Sequence, residues 1–446
     1  MVNSAMTRRH FLLTTAALAQ PANRPNIVVI LADDLGWKDL GYKGGPEQTP
    51  NIDRLANSGL RLEHFYTYPL CSPTRSALLT GRNPIRFGLA YSVVRPWAYY
   101  GLPLSENLIP ESFQKAGYQT AIIGKWHLGH SNKKLLPASR GFDHFYGHVN
   151  GAIDYNTHLR DAGLDWQRNG ESITEPGYST DLLAAEAIRW LNRRDKSKPF
   201  FLYLPFNAPH SPLQAPPALI DKYKNIENPR RRVYAAMVDA LDQAIGRIAA
   251  TLDNNTILFF SSDNGGPKAQ GADNGTLRAG KATTYEGGIR VPAFINAPGK
   301  IRPGTTDQVM AIWDVLPTLA AAAQVTLHPK NPLDGQNLWP QFIGAVPSVT
   351  RNNLFFCTQP ETGIKQYALR DGDWKLVRSM SSPPQQELFN IKLDPEEQAP
   401  HPAGQSPLIK KLDDWIALHP AGDVFYTGTP HPGWITPKDW SKTAID

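Results

Sequence analysis

Two pairs of oxygen-bearing side chains follow apolar runs of the sequence. Asp33 and Asp34 come directly after "NIVVILA", and Asp263 and Asn264 come after "NTILFFSS". Either pair alone is typical of a turn or a helix cap. Adjacent carboxylates repel each other unless a cation holds them, and carboxylate and amide oxygens suit Ca²⁺ or Mg²⁺ better than zinc. If the two runs are parallel strands of one sheet, these side chains predict a divalent metal site.

One of the two cysteines of the chain, Cys71, lies in the stretch "LCSPTRSALLTGR". Pro73 suits the first turn of a helix because its missing N–H has no partner there, and residues 76–80 have a helical pattern. Cys71 is therefore predicted at or just outside a helix N-terminus, where backbone N–H groups attract anions. Two alternatives stay open: a small buried apolar side chain, or a disulfide with Cys357 outside the cytoplasm.

Lysines and histidines occupy further strand ends and loops. "GKWHLGH" places Lys125 and His127 two residues apart, so that both side chains point to one side of an extended chain. "NAPHSP" places His210 between prolines after another apolar run, and "RAGKATTYEGG" places Lys281 in a glycine-containing loop. Each residue alone is typical of an exposed lysine or a packed histidine. These residues form a site only if the fold brings their side chains together at one edge of one sheet.

Four continuous apolar runs predict strands that are buried on both faces. They are "NIVVILA", "QTAIIGKW", "PFFLYLPF" and "NTILFFSS", and each ends in polar residues. Helical patterns lie between them at residues 105–116, 180–193 and 230–252. This alternation predicts an α/β domain with a large, mostly parallel sheet, in which ligand sites gather at the carboxyl ends of the strands.

The pattern changes towards the C-terminus. "YALRDGDWKLVRS" predicts a β-hairpin with Asp371 and Gly372 in its turn. "QELFNI" predicts a third strand, and residues 407–418 predict a helix. We therefore predict a larger domain over residues 24–335 and a smaller α+β domain with an antiparallel sheet over residues 336–446.

The N-terminal sequence predicts export. "MTRRHFLLTTAALAQ" contains Arg8 and Arg9 before a short apolar run, with small residues at 17 and 19 for cleavage. It resembles the bacterial twin-arginine signal, and the run is too short to span a bilayer. We predict a signal peptide over residues 1–23, no stable membrane anchor, and a periplasmic or extracellular protein.

The net charge favours an acidic partner. The chain carries +6 at pH 7 and contains no long block of Lys and Arg. An anionic small molecule or polysaccharide is therefore favoured over nucleic acid as the partner.

Taken together, the motifs resemble the formylglycine-dependent sulfatases. The stretch around Cys71 is similar to the signature of that family, and "LADDLGWKDLGY", "TPNIDRLA", "GKWHLGH", "FSSDNGG" and "YEGGIRVP" match further family motifs over roughly residues 25–345. "ELFNIKLDPEEQ" resembles its C-terminal domain, and "GFDHFYGHVNGAIDYNTH", "NGTLRAGK" and "PLDGQNLW" resemble the arylsulfatase B branch, the N-acetylgalactosamine-4-sulfatases. The resemblance implies an alkaline-phosphatase-like sandwich fold and a sulfuric ester hydrolase.

The resemblance also implies a chemical role for Cys71. In the family this cysteine is converted by a formylglycine-generating enzyme to formylglycine, whose hydrated aldehyde supplies an oxygen nucleophile. Cys71 is then a precursor rather than a structural thiol or a disulfide partner. By the same resemblance, one divalent ion per chain, Ca²⁺ with Mg²⁺ as the alternative, is bound by Asp33, Asp34, Asp263, Asn264 and the modified residue 71.

The roles of the cationic side chains follow from the same resemblance. Arg75 holds the modified side chain by charge-assisted hydrogen bonds. Lys125 and Lys281 neutralise charge on the sulfate in the transition state, and His210 assists at the bridging oxygen. Either His210 or Lys281 protonates the leaving alcohol. His127 is the base that removes the remaining hydroxyl proton and so releases sulfate.

Two other functions remain open from the sequence. A phosphatase or phosphodiesterase of the same superfamily usually has Ser or Thr as nucleophile and two metals, whereas this chain has a cysteine and one evident ligand set. An unmodified relative that only binds sulfated glycans is disfavoured by the intact set of lysines and histidines.

The loop "YSVVRPWAYYG" indicates the kind of substrate. It offers Arg95, Trp97, Tyr99 and Tyr100 near the signature helix. Aromatic rings stack on sugars and arginine binds a second anionic group, although surface packing explains these residues equally well. With the basic charge and the export signal, we expect a small sulfate ester, a sulfated polysaccharide or its oligosaccharides, of galactose or N-acetylgalactosamine type. The sequence indicates no oligomeric state.

Overall fold

The computed structural model describes residues 24–361, 363–420 and 428–446, so the signal peptide predicted for residues 1–23 lies outside the described residues. In chain order the described strands are β1 Asn26–Ala32, β2 Leu60–Leu62, β3 Phe65–Tyr66, β4 Gln119–Lys125, β5 His144–His148, β6 Leu159–Arg160, β7 Gly163–Leu164, β8 Gln167–Arg168, β9 Glu171–Ser172, β10 Phe200–Pro205, β11 Thr256–Ser262, β12 Ala293–Asn296, β13 Gly304–Thr306, β14 Met310–Ala311, β15 Leu354–Thr358, β16 Gln366–Asp371, β17 Trp374–Ser379 and β18 Gln385–Asn390.

The described α-helices alternate with these strands in the first three quarters of the chain. They are α1 Pro50–Asn57, α2 Cys71–Thr80, α3 Ile109–Lys115, α4 Ser179–Arg193, α5 Pro217–Lys222, α6 Pro229–Ala249, α7 Glu286–Ile289, α8 Val315–Ala322, α9 Trp339–Phe342 and α10 Pro407–Ile416. No helix among the described residues is both long enough and apolar enough to cross a membrane.

A ten-stranded sheet organises the larger part of the molecule, in the order β13-β2-β12-β11-β1-β10-β4-β5-β8-β9. The five strands from β11 to β5 in this order are mutually parallel, because β1 pairs in parallel with β10 and β11, and β4 with β10 and β5. Antiparallel strands complete both sides. The predicted α/β fold with a mostly parallel sheet is confirmed, and the carboxyl ends of the four predicted strands share one edge.

The central position of β1 explains its uninterrupted apolar sequence. Val29 and Leu31 pack into one apolar cluster, and Val28 and Ile30 into another on the opposite face of the sheet. Both faces of the strand are therefore covered, and after Asn26 at its start no polar side chain occurs until the chain leaves the sheet at Asp33.

The strands β15 to β18 form a separate antiparallel sheet in chain order. This confirms the predicted C-terminal sheet, although the turn of its hairpin was predicted one residue too early. Asp371 pairs with Trp374, so the two turn residues are Gly372 and Asp373. Gly372 has a φ of +61°, which glycine adopts without strain. The domain boundary between residues 335 and 336 stays a prediction.

The predicted helices at 180–193, 230–252 and 407–418 agree with α4, α6 and α10 within three residues. The helix predicted for residues 105–116 is wrong in its first turn, because α3 begins only at Ile109, with Pro110 in its first turn. Proline supplies no N–H to a helical hydrogen bond, so it is accepted at the start of a helix.

Candidate active site

Cys71 is the first residue of α2 and lies at the centre of the site. Its side chain is buried, and its Sγ is 3.5 Å from Asp33 Oδ1, 3.6 Å from Asn264 Oδ1 and 3.7 Å from Lys281 Nζ. Cys357 is buried elsewhere, and both cysteines are free. The disulfide alternative is therefore wrong for this structure, and the convergence of the predicted residues on Cys71 is observed.

The acidic residues lie where β1 and β11 end side by side. The backbone N–H of Asp263 donates to the carbonyl of Ala32, and the N–H of Asp34 donates to Asp263 Oδ1 at 3.2 Å. Gly265 then allows the chain to approach α7, because a Cβ at this position would be 1.8 Å from the carbonyl oxygen of Gly287. The parallel pairing thus brings Asp33 and Asp34 together with Asp263 and Asn264 in one buried cluster.

Arg75 and Lys125 neutralise two of these carboxylates. The guanidinium of Arg75 donates to Asp263 Oδ2 at 2.9 Å and to Asp33 Oδ2 at 3.2 Å, and Lys125 Nζ is 2.5 Å from Asp33 Oδ2. Arg75 also donates to the Lys125 carbonyl. These hydrogen bonds orient the carboxylates, whereas the contact with a modified residue 71 that we expected for Arg75 stays a prediction.

Lys281 enters the site from the loop between β11 and α7. Its Nζ is 2.6 Å from Asp34 Oδ1, which also accepts a hydrogen bond from Asn264 at 2.7 Å. The loop is fixed by its backbone, because the N–H of Ala282 donates to the carbonyl of Pro69, just before α2. Lys281 is thereby held against both the carboxylates and the thiol.

His210 faces the same cluster from the turn after β10. Its backbone carbonyl accepts a hydrogen bond from the Tyr155 hydroxyl, and its Nδ1 is 2.6 Å from the Ser211 carbonyl oxygen. A carbonyl only accepts, so Nδ1 carries the proton and Nε2 presents a lone pair. That Nε2 is 3.6 Å from Asp34 Oδ2, a buried oxygen that accepts no hydrogen bond within the described chain. Two acceptors facing each other fit a cation between them.

The donor atoms fit a hard divalent cation. Ligand atoms of Asp33, Asp34, Cys71 and His210 lie within 4.8 Å of one another, all buried or nearly so. Asn264 Oδ1 borders this group through Cys71, whereas both oxygens of Asp263 are engaged with the Asp34 N–H and Arg75. Sequence reasoning did not include His210 in the ligand set, because one histidine after a strand carries no ligand spacing.

Burial and neighbouring charges shift the pKa values of this cluster in opposite directions. Burial opposes ionisation of Asp33, but Lys125, His210 and Arg75 outweigh it and lower the pKa of that carboxyl. For Asp263, burial and the charge of Asp33 raise the pKa to about 6. Burial, reinforced by Asp263 and Asp33, raises the pKa of the Cys71 thiol. The unmodified cysteine is therefore protonated and a poor nucleophile.

His127 lies beside α2 with one ring nitrogen bound to the loop that follows the helix. Its Nε2 is 2.9 Å from the Val94 carbonyl oxygen, and its buried Nδ1 has no hydrogen-bond partner among the described residues. Nε2 therefore carries the proton and Nδ1 the lone pair, as a base requires. Burial and the charges of Lys125 and Arg75 lower the pKa of the imidazole, which keeps it neutral.

A C-terminal segment packs on the aromatic loop. The Tyr99 ring stacks on His431 at 5.0 Å, and Trp97 meets Trp434 edge to face at 5.8 Å. The same loop contacts the site through Val94, whose N–H donates to the Ser72 hydroxyl at 3.0 Å. No short-range pattern connects residues more than 300 positions apart, so this pairing could not be predicted from the sequence.

The sheet, the buried acidic cluster at its carboxyl edge and the helix-initial cysteine define a hydrolase architecture of the alkaline-phosphatase type. A Sulfatase family model matches residues 25–325, and a model of the N-sulphoglucosamine sulphohydrolase C-terminal region matches residues 279–412. The chain belongs to the sulfatase family, whose members depend on formylglycine.

Individual relatives agree with this assignment. Arylsulfatase J of Mus musculus is 39% identical over 71% of this chain, and N-acetylgalactosamine-6-sulfatase of Homo sapiens is 37% identical over 72%. The chain covers 55% and 66% of the length of these two proteins. A crystal structure of Ps i-CgsB in complex with k-i-k-neocarrahexaose superposes with a TM-score of 0.83 at 32% identity, covering 91% of this chain and 95% of that one. The finer resemblance to the arylsulfatase B branch stays a prediction.

Proposed function

We propose that this protein hydrolyses sulfate esters with a nucleophile formed from Cys71. The observation that carries the proposal is the position of this thiol. It lies at a helix N-terminus within 3.7 Å of Asp33, Asn264 and Lys281, in a pocket that keeps the thiol protonated. A cysteine used directly for nucleophilic catalysis needs the opposite environment, one that stabilises the thiolate.

The proposed maturation replaces the thiol with an aldehyde, installed by a formylglycine-generating enzyme. Its hydrate supplies the oxygen nucleophile that the protonated thiol does not. Asp33, Asp34, Asp263, Asn264 and residue 71 would hold a divalent cation, which would supply Lewis-acid polarisation of the sulfate and favour the ionised form of that nucleophile. Ca²⁺ is the expected ion and Mg²⁺ the alternative, because the donors are predominantly oxygens.

The other side chains around this centre have separate roles in charge stabilisation and proton transfer. Lys281 and Lys125 bring positive charge to the sulfate, and this charge is most valuable where it grows in the transition state. The Nε2 lone pair of His210 becomes a donor on protonation, so either this group or Lys281 protonates the leaving alcohol. The free Nδ1 of His127 accepts the hydroxyl proton of residue 71 when sulfate is released.

We propose a sulfated oligosaccharide or polysaccharide of galactose or N-acetylgalactosamine type as substrate, with small sulfate esters also accepted. Trp97 and Tyr99 lie on the loop that contacts His127 through Val94. Each ring packs on a ring of the C-terminal segment, and Tyr99 is still largely exposed, so its ring suits stacking against a sugar face. The names of N-acetylgalactosamine-6-sulfatase and of the neocarrahexaose complex support the same substrate class. Export by the twin-arginine route would bring the enzyme to such polymers.

Mass spectrometry of the peptide containing residue 71 tests the proposal together with turnover of an aryl sulfate. Protein produced with the maturation enzyme should carry an aldehyde at residue 71 and hydrolyse the ester, and C71A should show no turnover. An aryl phosphate run in parallel distinguishes a phosphatase. Full activity in protein whose residue 71 is still a thiol contradicts the mechanism, and modified protein without turnover indicates a glycan-binding protein.

A further inference from the structure

A second cavity lies at the junction between the large sheet and the C-terminal sheet, with a volume of about 510 Å³. The residues that line it come from six separate stretches of the chain, at residues 64, 290, 307–309, 348–351, 370–373 and 391–395. Its basic lining residues are His64, Arg290, Arg351, Arg370 and Lys392, and its acidic lining residues are Asp307 and Asp373.

The three arginines lie in the walls of this cavity and are almost completely buried. Arg290, Arg351 and Arg370 are only 9%, 5% and 5% exposed. Protein acceptors use part of each guanidinium: the Glu63 carbonyl and Glu286 for Arg290, Asp314 for Arg351, and the Gly372 carbonyl and the Tyr66 hydroxyl for Arg370. A guanidinium has five N–H donors. These contacts therefore fix its position and leave some of its N–H groups without an acceptor from the protein.

One donor is left unpaired at a cost to the protein. The Nε of Arg351 is buried and has no hydrogen-bond partner among the described residues. Buried polar groups without partners are unfavourable and rare in folded proteins. An acceptor that enters the cavity would remove this cost.

The acidic lining residues screen the charge of the cavity only weakly, whereas the buried carboxylates of Asp314 and Glu286 behind its wall offset part of the charge of Arg351 and Arg290. The side chains of Asp307 and Asp373 are 90% and 55% exposed, so water screens them. Independent support comes from His64, because burial and the charges of Arg290 and Arg370 lower its pKa to about 4. His64 therefore stays neutral, and the N–H donors that the wall arginines leave unused suit an anion.

We propose that this cavity binds a sulfate group at a site separate from the catalytic centre. Arginine forks match tetrahedral oxyanions in geometry and charge. The choice of sulfate among oxyanions rests on the proposed function, which supplies this group both as the ester on the saccharide chain and as the free product. The volume admits either a free ion or one sulfated sugar unit.

Calorimetric titration with sodium sulfate, at an ionic strength held constant with sodium chloride, tests the proposal. All proteins carry C71A, so that turnover plays no part and failure of the proposed activity does not affect the readout. K392Q removes a side chain that is 72% exposed and leaves the fold intact, and R370Q removes a wall residue. K410Q and R378Q are matched controls away from the cavity lining.

We expect K392Q and R370Q each to weaken cavity binding about tenfold, and both controls to remain within about twofold of the parent. Sulfate at the catalytic centre contributes equally throughout, because that centre is identical in every protein. Repeating the titration with a sulfated oligosaccharide and its desulfated form separates a chain sulfate from the free ion. Unchanged sulfate affinity in both cavity variants overturns the proposal.

Discussion

Lys281 contacts the centre of the proposed chemistry at two points. Its Nζ lies 3.7 Å from the sulfur of Cys71 and 2.6 Å from Asp34 Oδ1. The neighbouring carboxylates, Asp34 first, outweigh burial and raise the pKa of this ammonium group. The charge is therefore held throughout the working pH range.

Replacing this lysine should slow turnover without unfolding the protein. K281A should lower kcat for a small aryl sulfate by about 10²–10³, the usual value of one preorganised electrostatic donor. Steady-state kinetics on modified protein measure this loss. K268A, which removes an exposed lysine from a nearby loop, should change kcat less than twofold. An equal loss of kcat in both variants would show that the overall positive charge of the protein, rather than the position of Lys281, determines the rate.

The carboxylate cluster should bind a divalent ion with measurable consequences. D34N keeps the shape of the side chain but removes the charge of the carboxylate whose Oδ2 faces His210 Nε2. We expect elemental analysis to find about one Ca²⁺ or Mg²⁺ per chain in the parent and substantially less in D34N, because hard cations prefer charged oxygens. Chelation should lower the melting temperature of the parent more than that of the variant. Equal metal content in the two proteins would contradict the assignment.

The site residues were predictable to different degrees. Asp33, Asp34, Asp263 and Asn264 follow apolar runs whose parallel pairing the sequence pattern indicates, so their convergence could be expected. The approach of His210 to Asp34 could not, because the ring is aimed by hydrogen bonds from Tyr155 and to Ser211. Side-chain orientation of this kind depends on tertiary contacts that no local pattern records.

At the scale of elements, the loop that contains Trp97 joins the catalytic centre to the C-terminal segment. We expect W97A to raise KM for a sulfated oligosaccharide much more than for an aryl sulfate, since binding energy remote from the ester is felt only by substrates that reach it. Parallel kinetics on the two substrates measure the ratio. W374A, in the C-terminal hairpin, is the control. Equal losses on both substrates after W97A would indicate a purely structural loop.

His130 makes the attachment of this loop sensitive to pH. Its Nε2 is 3.0 Å from the Pro96 carbonyl oxygen and its ring packs edge to face on Trp440. Burial lowers the pKa of the imidazole to about 4, so the folded state binds fewer protons than the unfolded chain between about pH 4 and 6.5. Its contribution to stability is therefore complete above about pH 6.5 and is lost as the pH falls.

The corresponding measurement is the free energy of unfolding from denaturant titrations at pH 7 and pH 5. Between pH 7 and pH 5, the free energy of unfolding should fall by about 2 kcal/mol more in the parent than in H130Q, which has no titrating group at this position. H328Q, which changes an exposed histidine, should leave the loss unchanged. Identical pH dependence in H130Q and the parent would contradict this assignment.

A helix or strand was easier to predict from the sequence when its position depends mainly on residues close to it in the chain. Four strands are buried on both faces and are recognisable in the sequence as continuous apolar runs, namely β1, β4, β10 and β11. The short strands β2, β12 and β13 at one side of the sheet lack such a run, since their pairing is fixed by neighbours distant in sequence. The start of α3 was misplaced because Ser105, Glu106 and Asn107 suit a helix start as well as a loop.

At the scale of the whole molecule, a buried group of charges joins the two sheets. Lys375 of β17 is 2.9 Å from Glu286 of α7 and 2.8 Å from Glu397, and all three side chains are buried. Glu286 lies five residues after Lys281. The C-terminal sheet therefore supports the loop that carries a proposed catalytic lysine.

Breaking this group should destabilise the fold strongly. K375M leaves Glu286 and Glu397 as buried carboxylates without their common partner, which typically costs about 3–5 kcal/mol. Denaturant unfolding of K375M beside K410M, which replaces an exposed lysine of α10, measures the difference. A loss below about 1 kcal/mol in K375M would show that the two sheets are held together mainly by apolar contacts.

The central position of β1 has a consequence for the order of events during synthesis. Its partners β10 and β11 leave the ribosome long after β1 itself, and Asn264 and Lys281, which enclose Cys71, come later still. About 190 residues separate Cys71 from the end of β11, which at usual translation speeds takes roughly 10–40 s. Until then the thiol is accessible, and afterwards it is buried. The modification that we propose for residue 71 would therefore take place on the nascent or unfolded chain, before the later elements enclose the thiol.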